Sequence, residues 1–252
     1  MATKVYEFLN TQFLGKKFSL PLTKILAEIA VFYAFVNQKN TMKITRPKTN
    51  LLFRSCILLF SLTLLPNCSP AMKIFKTPTF SEDKNVNCII EIPAGTSKKI
   101  EFNKTSKKFA VDLRDGKERI IEYLPYPGNY GFIASTYSEP TTGGDGDPLD
   151  VLVLCETLKT GTILEAKPIG VLKLLDAGES DYKVICIPAD EKLRTVSAAN
   201  FDEFSKKYPN ALQLIETWFS NYDHSDPVII EGWGDEKEAM AEIQRLSVPM
   251  KK

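Results

Sequence analysis

The stretch Gly143–Leu154, GGDGDPLDVLVL, sets Asp145, Asp147 and Asp150 on a glycine-rich loop that runs straight into an apolar, β-type run. Carboxylates this close repel one another, and a chain that keeps them together needs something cationic among them. All the donors are hard oxygens, so the expected cation is a divalent metal ion.

Three kinds of site carry such a pattern. A calcium loop of the EF-hand type needs Asp or Asn at its third ligand position and Gly just after it. Leu149 and Asp150 stand there, so that pattern fails. An aspartyl-phosphate phosphatase would put its Asp-x-Asp at the end of an apolar strand. Here the apolar run follows the aspartates and Thr141-Thr-Gly-Gly144 precedes them. The third reading is a polymetal hydrolase site completed by carboxylates from elsewhere in the chain.

The candidate partners lie in DAGESDYK, residues 176–183, where Asp176, Glu179 and Asp181 stand between two expected strands with Lys183 just beyond. An acidic turn is ordinarily just solvated. Beside a triple-aspartate loop in the same small domain it becomes a candidate for the rest of the site. A third cluster, Tyr126-Pro-Gly-Asn-Tyr130-Gly-Phe132, flanks a rigid turn with two tyrosines. Their hydroxyls could bond phosphate oxygens, although aromatic packing is the expectation for Phe132. Glu91 and Glu101 fall in strand-like runs, where each faces either solvent or a polar cavity.

The surrounding pattern is β-rich. Short β-branched or aromatic runs at Cys88–Ile92, Lys99–Phe102, Phe109–Leu113, Arg119–Tyr123, Val151–Leu154, Ile163–Leu175 and Tyr182–Ile187 read as strands. The long run must bend or bulge at Pro168 or Gly170. The period then changes: Phe201, Phe204, Leu212, Ile215 and Phe219 recur at helical spacing over Asn200–Asn221, interrupted by Pro209. Asp235–Leu246 opens with acids at a helix N-terminus. Strands followed by helices indicate an α+β domain, a small closed or half-closed barrel with helices packed outside. The roughly 180 residues from 72 to 252 suffice for one core.

The front of the chain reads differently. Residues 1–70 carry nine Lys/Arg against Glu7 and Glu28, a net +7, and the remaining 23 bases and 29 acids leave the body at −6. Lys43, Arg46, Lys48 and Arg54 precede the apolar run Cys56–Leu65, and Pro66-Asn67-Cys68 follows. That is the layout of an export signal, and the run is short of the ~20 residues that span a membrane. Cys68 sits where a loose lipoprotein box would lipidate it. Met42 could then be the true start; a leader on a cytoplasmic enzyme or an organelle transit peptide fits the same residues. Residues 1–71 are therefore read as a leader and 72–252 as the folded domain.

Of the five cysteines, Cys88, Cys155 and Cys186 lie in or beside apolar runs as small hydrophobes, and no pair has metal-site spacing. With His224 the sole histidine, chemistry built on a histidine triad or several imidazole ligands is nearly excluded.

Together these motifs resemble family I soluble inorganic pyrophosphatases. The signature Asp-x-Asp-(Pro/Glu)-apolar-Asp-apolar is met by Asp145–Val151, and Tyr-Pro-x-Asn-Tyr-Gly by Tyr126–Gly131. Glu91-Ile92-Pro93 and Glu231-Gly232-Trp233 match in order, so the resemblance spans about residues 86–246. It implies a five-stranded OB-like β-barrel with helices outside, and hydrolysis of pyrophosphate to two orthophosphates by a metal-activated water. It further implies several Mg²⁺ ions per site, with Mn²⁺ or Zn²⁺ as substitutes, on Asp145, Asp150, Asp176 and Asp181. Asp147 would deprotonate the attacking water, while Lys99, Arg119, Tyr130, Lys183 and Tyr222 would grip the phosphates. Glu91, Glu101 and Tyr126 would complete the cavity.

The family arginine is either Arg119 or Arg114, with Arg119 preferred. Many bacterial members carry a base after the tyrosine matching Tyr222, where this chain has Asp223. The resemblance also implies a homo-oligomer, a hexamer, and a cytoplasmic address; the leader implies export and a membrane anchor at Cys68 instead. Two rivals are an inactive relative and a small-barrel oligonucleotide binder. The latter calls for basic and aromatic residues along a groove, so the body's −6 charge argues against nucleic acid as a partner.

Overall fold

The computed structural model describes residues 70–223, 225 and 228–249. Cys68 and His224 lie outside the described residues. The chain runs through α1 (Pro70–Phe75), β1 (Val86–Ile92), β2 (Ile100–Asn103), β3 (Lys108–Val111), β4 (Leu113–Arg114), β5 (Lys117–Glu118) and β6 (Asn129–Ile133). It continues through β7 (Asp150–Val153), β8 (Ile163–Asp176), β9 (Glu179–Ser180) and β10 (Lys183–Pro188). Helices α2 (Phe201–Lys207) and α3 (Pro209–Asn221), strand β11 (Val228–Gly234) and helix α4 (Glu236–Leu246) complete it.

Strand pairing closes on itself. β1 pairs with β6, β6 with β7 and β10 with β8, all antiparallel, and β8 returns antiparallel to β1. The pairing of β7 with β10 is parallel. β8 can serve four partners because it is long: Ile163–Ala166 face β1, residues 166–172 face β10, residues 171–176 face β11, and its last two residues also pair with β9. It bulges where expected, since Pro168 and Gly170 pair with consecutive residues of β10 and Ile169 is skipped.

β7 and β10 read as unbroken apolar runs because both of their faces are covered. Val151, Val153, Val184 and Cys186 pack in one cluster with Ala239 and Ile243 of α4. Leu152, Ile185 and Ile187 pack in the other with Phe204 of α2 and Ile215, Trp218 and Phe219 of α3. Pro209 splits the expected helix in two by standing at the first turn of α3, where its missing N–H costs nothing. Asp235 caps α4 by accepting from the N–H groups of Lys237 and Glu238.

Three expectations are corrected. Arg119–Tyr123 is not a strand; it keeps only an isolated bridge from Ile120 to Lys98, because of this stretch only Ile121 is buried and the hairpin partner ends at β5. The Tyr126–Phe132 segment is a turn only as far as Gly128, and Asn129–Ile133 is β6. Val228–Gly234, not anticipated as a strand, is β11. Its apolar run is short because it covers only the outer end of β8.

Candidate active site

Parallel pairing decides where the acidic loops go. Asp150 opens β7, Lys183 opens β10, and the two are register partners. Parallel strands start at the same end of a sheet, so the loops that precede them emerge side by side. The Ser180 N–H donates to the Gly143 carbonyl at 2.8 Å, stitching one loop to the other. Gly146 sits at φ +82 between Asp145 and Asp147, a conformation open to glycine. The turn it allows lets Asp145 accept the Asp147 N–H at 2.9 Å. Asp176 arrives from the other side, at the end of β8, where Ala177-Gly178 turns the chain into β9 with φ positive at both residues.

A cavity of about 820 Å³ opens over this junction, and Asp145, Asp147, Asp150, Asp176 and Asp181 all line it. Lys183, Lys99, Tyr130 and Tyr222 share its wall with Glu91 and Glu101. Glu91 gets there by a bulge: Ile90 and Ile92 pair with the adjacent Gly131 and Tyr130, leaving Glu91 as the extra residue of β1. Bulges re-aim side chains in this way. Close approach of β6 at this point is possible because residue 131 is glycine; a Cβ there would lie 2.0 Å from the Ile89 carbonyl oxygen.

Lys183 is the electrostatic centre, its side chain 4% exposed. Its ammonium lies 2.6 Å from Asp150 Oδ2, bonds Asp181 as well, and stands 5.8 Å from the centre of the Tyr130 ring. Burial disfavours this charge, but the Asp150 and Asp181 carboxylates outweigh it and hold the ammonium above the usual lysine range. Asp150 also accepts the Tyr130 hydroxyl. Burial nevertheless pushes its carboxyl up to about 6. Burial pushes Glu91 further, to about 8, against the bond its Oε1 accepts from the Phe102 N–H at 2.6 Å. The Tyr222 hydroxyl, desolvated and stacked at 5.2 Å on Trp218, is pushed up to about 12. Asp147 differs from its neighbours: its side chain is 65% exposed and is met by Lys104 Nζ at 2.7 Å.

A family model described as inorganic pyrophosphatase matches residues 88–251. The chain belongs to the family I soluble inorganic pyrophosphatases. It is 40% identical over 167 residues to the inorganic pyrophosphatase of Haemophilus influenzae, covering 65% of this chain and 87% of that one. The Neisseria meningitidis inorganic pyrophosphatase is 35% identical over 169 residues, 67% of this chain and 90% of the relative. A crystal structure of an inorganic pyrophosphatase from Neisseria gonorrhoeae superposes with a TM-score of 0.58 at 32% identity, covering 69% of this chain and 96% of that one.

Within this family frame, the residues singled out in the sequence divide into two groups. The five aspartates, Glu91, Glu101, Lys99, Tyr130, Lys183 and Tyr222 meet at the cavity, where Lys99 and Glu101 pair at 3.2 Å. Tyr126 does not line it. That residue is 3% exposed, packed on Trp218 and Tyr130 at ring separations of 4.6 and 5.3 Å, and it backs the cavity-lining tyrosines. Arg119 stands off the lining as well, bonded to Asp223 with Asp112 at 3.6 Å. Arg114 converges on the same Asp223 at 2.8 Å, so the two candidate arginines occupy one cluster. Lys104 was not anticipated, since one lysine in the run NKTSKK carries no spacing signal.

The donor set suits a hard divalent cation in kind: seven carboxylates, five of them aspartates, face one cavity whose described lining contains neither thiol nor imidazole. As the side chains stand, no three or more His, Cys, Asp or Glu among the described residues are gathered closely enough to hold an ion. Lys183 draws Asp150 and Asp181 to itself, and Lys104 draws Asp147. The acids thus converge on a cavity rather than on a point, and the lysines balance charges that a cation would balance.

Proposed function

We propose that this chain hydrolyses inorganic pyrophosphate to two orthophosphates, with Mg²⁺ held by Asp145, Asp150, Asp176 and Asp181. The observation that carries the reading is the meeting of two acidic loops and a buried lysine in one cavity, in a chain whose relatives are named inorganic pyrophosphatases. Bound there, Mg²⁺ would offset phosphate charge and lower the pKa of a coordinated water from about 15.7 toward neutrality. Asp147 is the proposed general base, since it faces the cavity from an exposed loop and its ion pair with Lys104 is a surface pair that yields easily. Lys99, Lys183, Tyr130 and Tyr222 would hold phosphate oxygens. Arg119, reaching in from the rim, would meet the charge that develops on the leaving phosphate. Burial pushes the Glu91 carboxyl up to about 8, which disfavours a further negative charge against the polyanion.

The closed ring of β1, β6, β7, β10 and β8 supports reading the sheet as a five-stranded OB-like barrel. Its cavity is acidic, which disfavours nucleic acid as a ligand. Family resemblance carries the further proposal that copies assemble into a homo-oligomer. The activity is tested by orthophosphate release from pyrophosphate in excess Mg²⁺. Release should stop on chelation and be inhibited by Ca²⁺; purified, folded protein that releases no phosphate ends the reading.

A further inference from the structure

Outside the cavity wall, Arg119 belongs to a cluster of charges whose other members, Arg114 and Asp223, have no role in the account above. Arg114 sits at the tip of the β4–β5 hairpin, where Asp115 and Gly116 both take positive φ and turn the chain in two residues. The hairpin projects toward the C-terminal end of α3. Asp223 follows immediately on Tyr222, whose ring lines the cavity.

The Asp223 side chain is 9% exposed and meets both arginines. Arg114 approaches it with a fork, Nη1 to Oδ1 at 3.3 Å and Nη2 to Oδ2 at 2.8 Å. Arg119 donates its Nη2 to the same Oδ2. Ser225 steadies the arrangement: its hydroxyl donates to Asp223 Oδ1 at 2.7 Å and accepts from Arg114 Nη1 at 2.8 Å. Asp112 lies 3.6 Å from Arg119, beyond hydrogen-bond distance.

With Asp112 beside Arg119 the two guanidinia and two carboxylates balance in charge, but Asp223 alone bonds both guanidinia and leaves N–H donors to spare. The pair offers ten N–H donors, and a carboxylate has only about four acceptor sites. Like charges that would otherwise separate are held together by the acid between them. Asp223 follows directly on Tyr222, which lines the cavity, and this adjacency sets the cluster at that edge. A planar guanidinium fork matches two oxygens of a phosphoryl group.

We propose that Asp223 is a positioning residue that gathers Arg114 and Arg119 into a two-guanidinium clamp for one phosphoryl group of the substrate. Arg114 is then a second gripping cation beside Arg119, delivered by the hairpin and aimed by an acid. The inference rests on the pyrophosphatase reading, and the acid at position 223 works by recruiting positive charge.

The test uses the full chain and its Asp223→Asn, Asp223→Glu, Arg114→Ala and Arg114→Lys variants. Steady-state hydrolysis of pyrophosphate gives KM and kcat, and calorimetric titration with methylenediphosphonate in excess Mg²⁺ reads the grip without turnover. Wild-type phosphate release tests the parent reading separately. The clamp predicts that Arg114→Ala raises KM and the methylenediphosphonate Kd about tenfold or more, the loss expected for a charge-assisted bond. Asp223→Asn should do the same with kcat little changed, Asp223→Glu should restore most of the affinity, and Arg114→Lys should fall between.

A lower melting temperature with KM and Kd unchanged would make Asp223 a structural tie for the hairpin and overturn the proposal. A KM that falls in Asp223→Asn would make Asp223 a competitor of the substrate and overturn it equally. Should wild type release no phosphate, the analogue affinities still decide the clamp: equal Kd in wild type and Arg114→Ala defeats it.

Discussion

At the scale of single residues, the site works by setting similar side chains in different environments. Asp147 is exposed and meets a surface lysine, whereas Asp150 is drawn into the interior by Lys183 and Tyr130. The exposed one suits proton transfer and the inner one suits holding charge. Asp147→Asn should lower kcat about 10²- to 10⁴-fold, the usual range for a lost general base. Its melting temperature should stay near wild type, because an exposed ion pair contributes little; phosphate release and thermal melts check both.

Glu91 supports a pH prediction at the same scale. Burial pushes its carboxyl up to about 8, from an ordinary glutamate value of about 4.5. Between those values the folded state binds more protons than the unfolded state, so stability falls as pH rises from about 4.5 to 8. Metal-free Glu91→Gln should lack that part of the decline. Melting temperatures of both proteins across this window are the measurement, and parallel curves would show that burial of Glu91 carries no cost.

At the scale of elements, the aspartates are a consequence of strand order. β7 and β10 lie parallel and in register, so Asp150 meets Lys183 and the two acidic loops emerge together. Both loops were legible as chemistry in the sequence; their adjacency was not, since it rests on a pairing between segments some thirty residues apart. The same holds for Glu91, whose direction is set by a bulge against β6. Gly131→Ala tests that contact. A Cβ 2.0 Å from the Ile89 oxygen cannot be relieved by a side chain, so β1 and β6 must separate. A loss of about 3 kcal/mol or more is expected from overpacking against backbone, read as the shift in denaturation midpoint. β6 and β11 escaped the sequence reading for one reason: each is glycine-bearing and given its strand character by partners far away in the chain.

At the scale of the molecule, the residues assigned to the site run from Glu91 to Asp223, all within residues 88–251 that the family model covers. Removal of residues 1–69 should therefore leave phosphate release per folded molecule within about twofold, since no assigned group is lost. The reading of residues 1–71 as a leader makes its own prediction from sequence: on that reading the basic stretch, the apolar run and Cys68 should give a processed, lipidated N-terminus. Mass spectrometry of the mature protein checks it, and an unprocessed, unmodified chain recovered only from the cytosol would refute it.

The sequence by itself determined the chemistry on offer: carboxylates without imidazole or thiol partners, a lysine beside them, and apolar runs able to carry them. Local spacing suffices for that, because donor type and turn geometry are properties of neighbouring residues. Only the tertiary structure decided which of these groups share a cavity, that Tyr126 supports it from behind, and that Asp223 collects both arginines. Those outcomes depend on burial and on pairing across long chain separations, which no local pattern encodes.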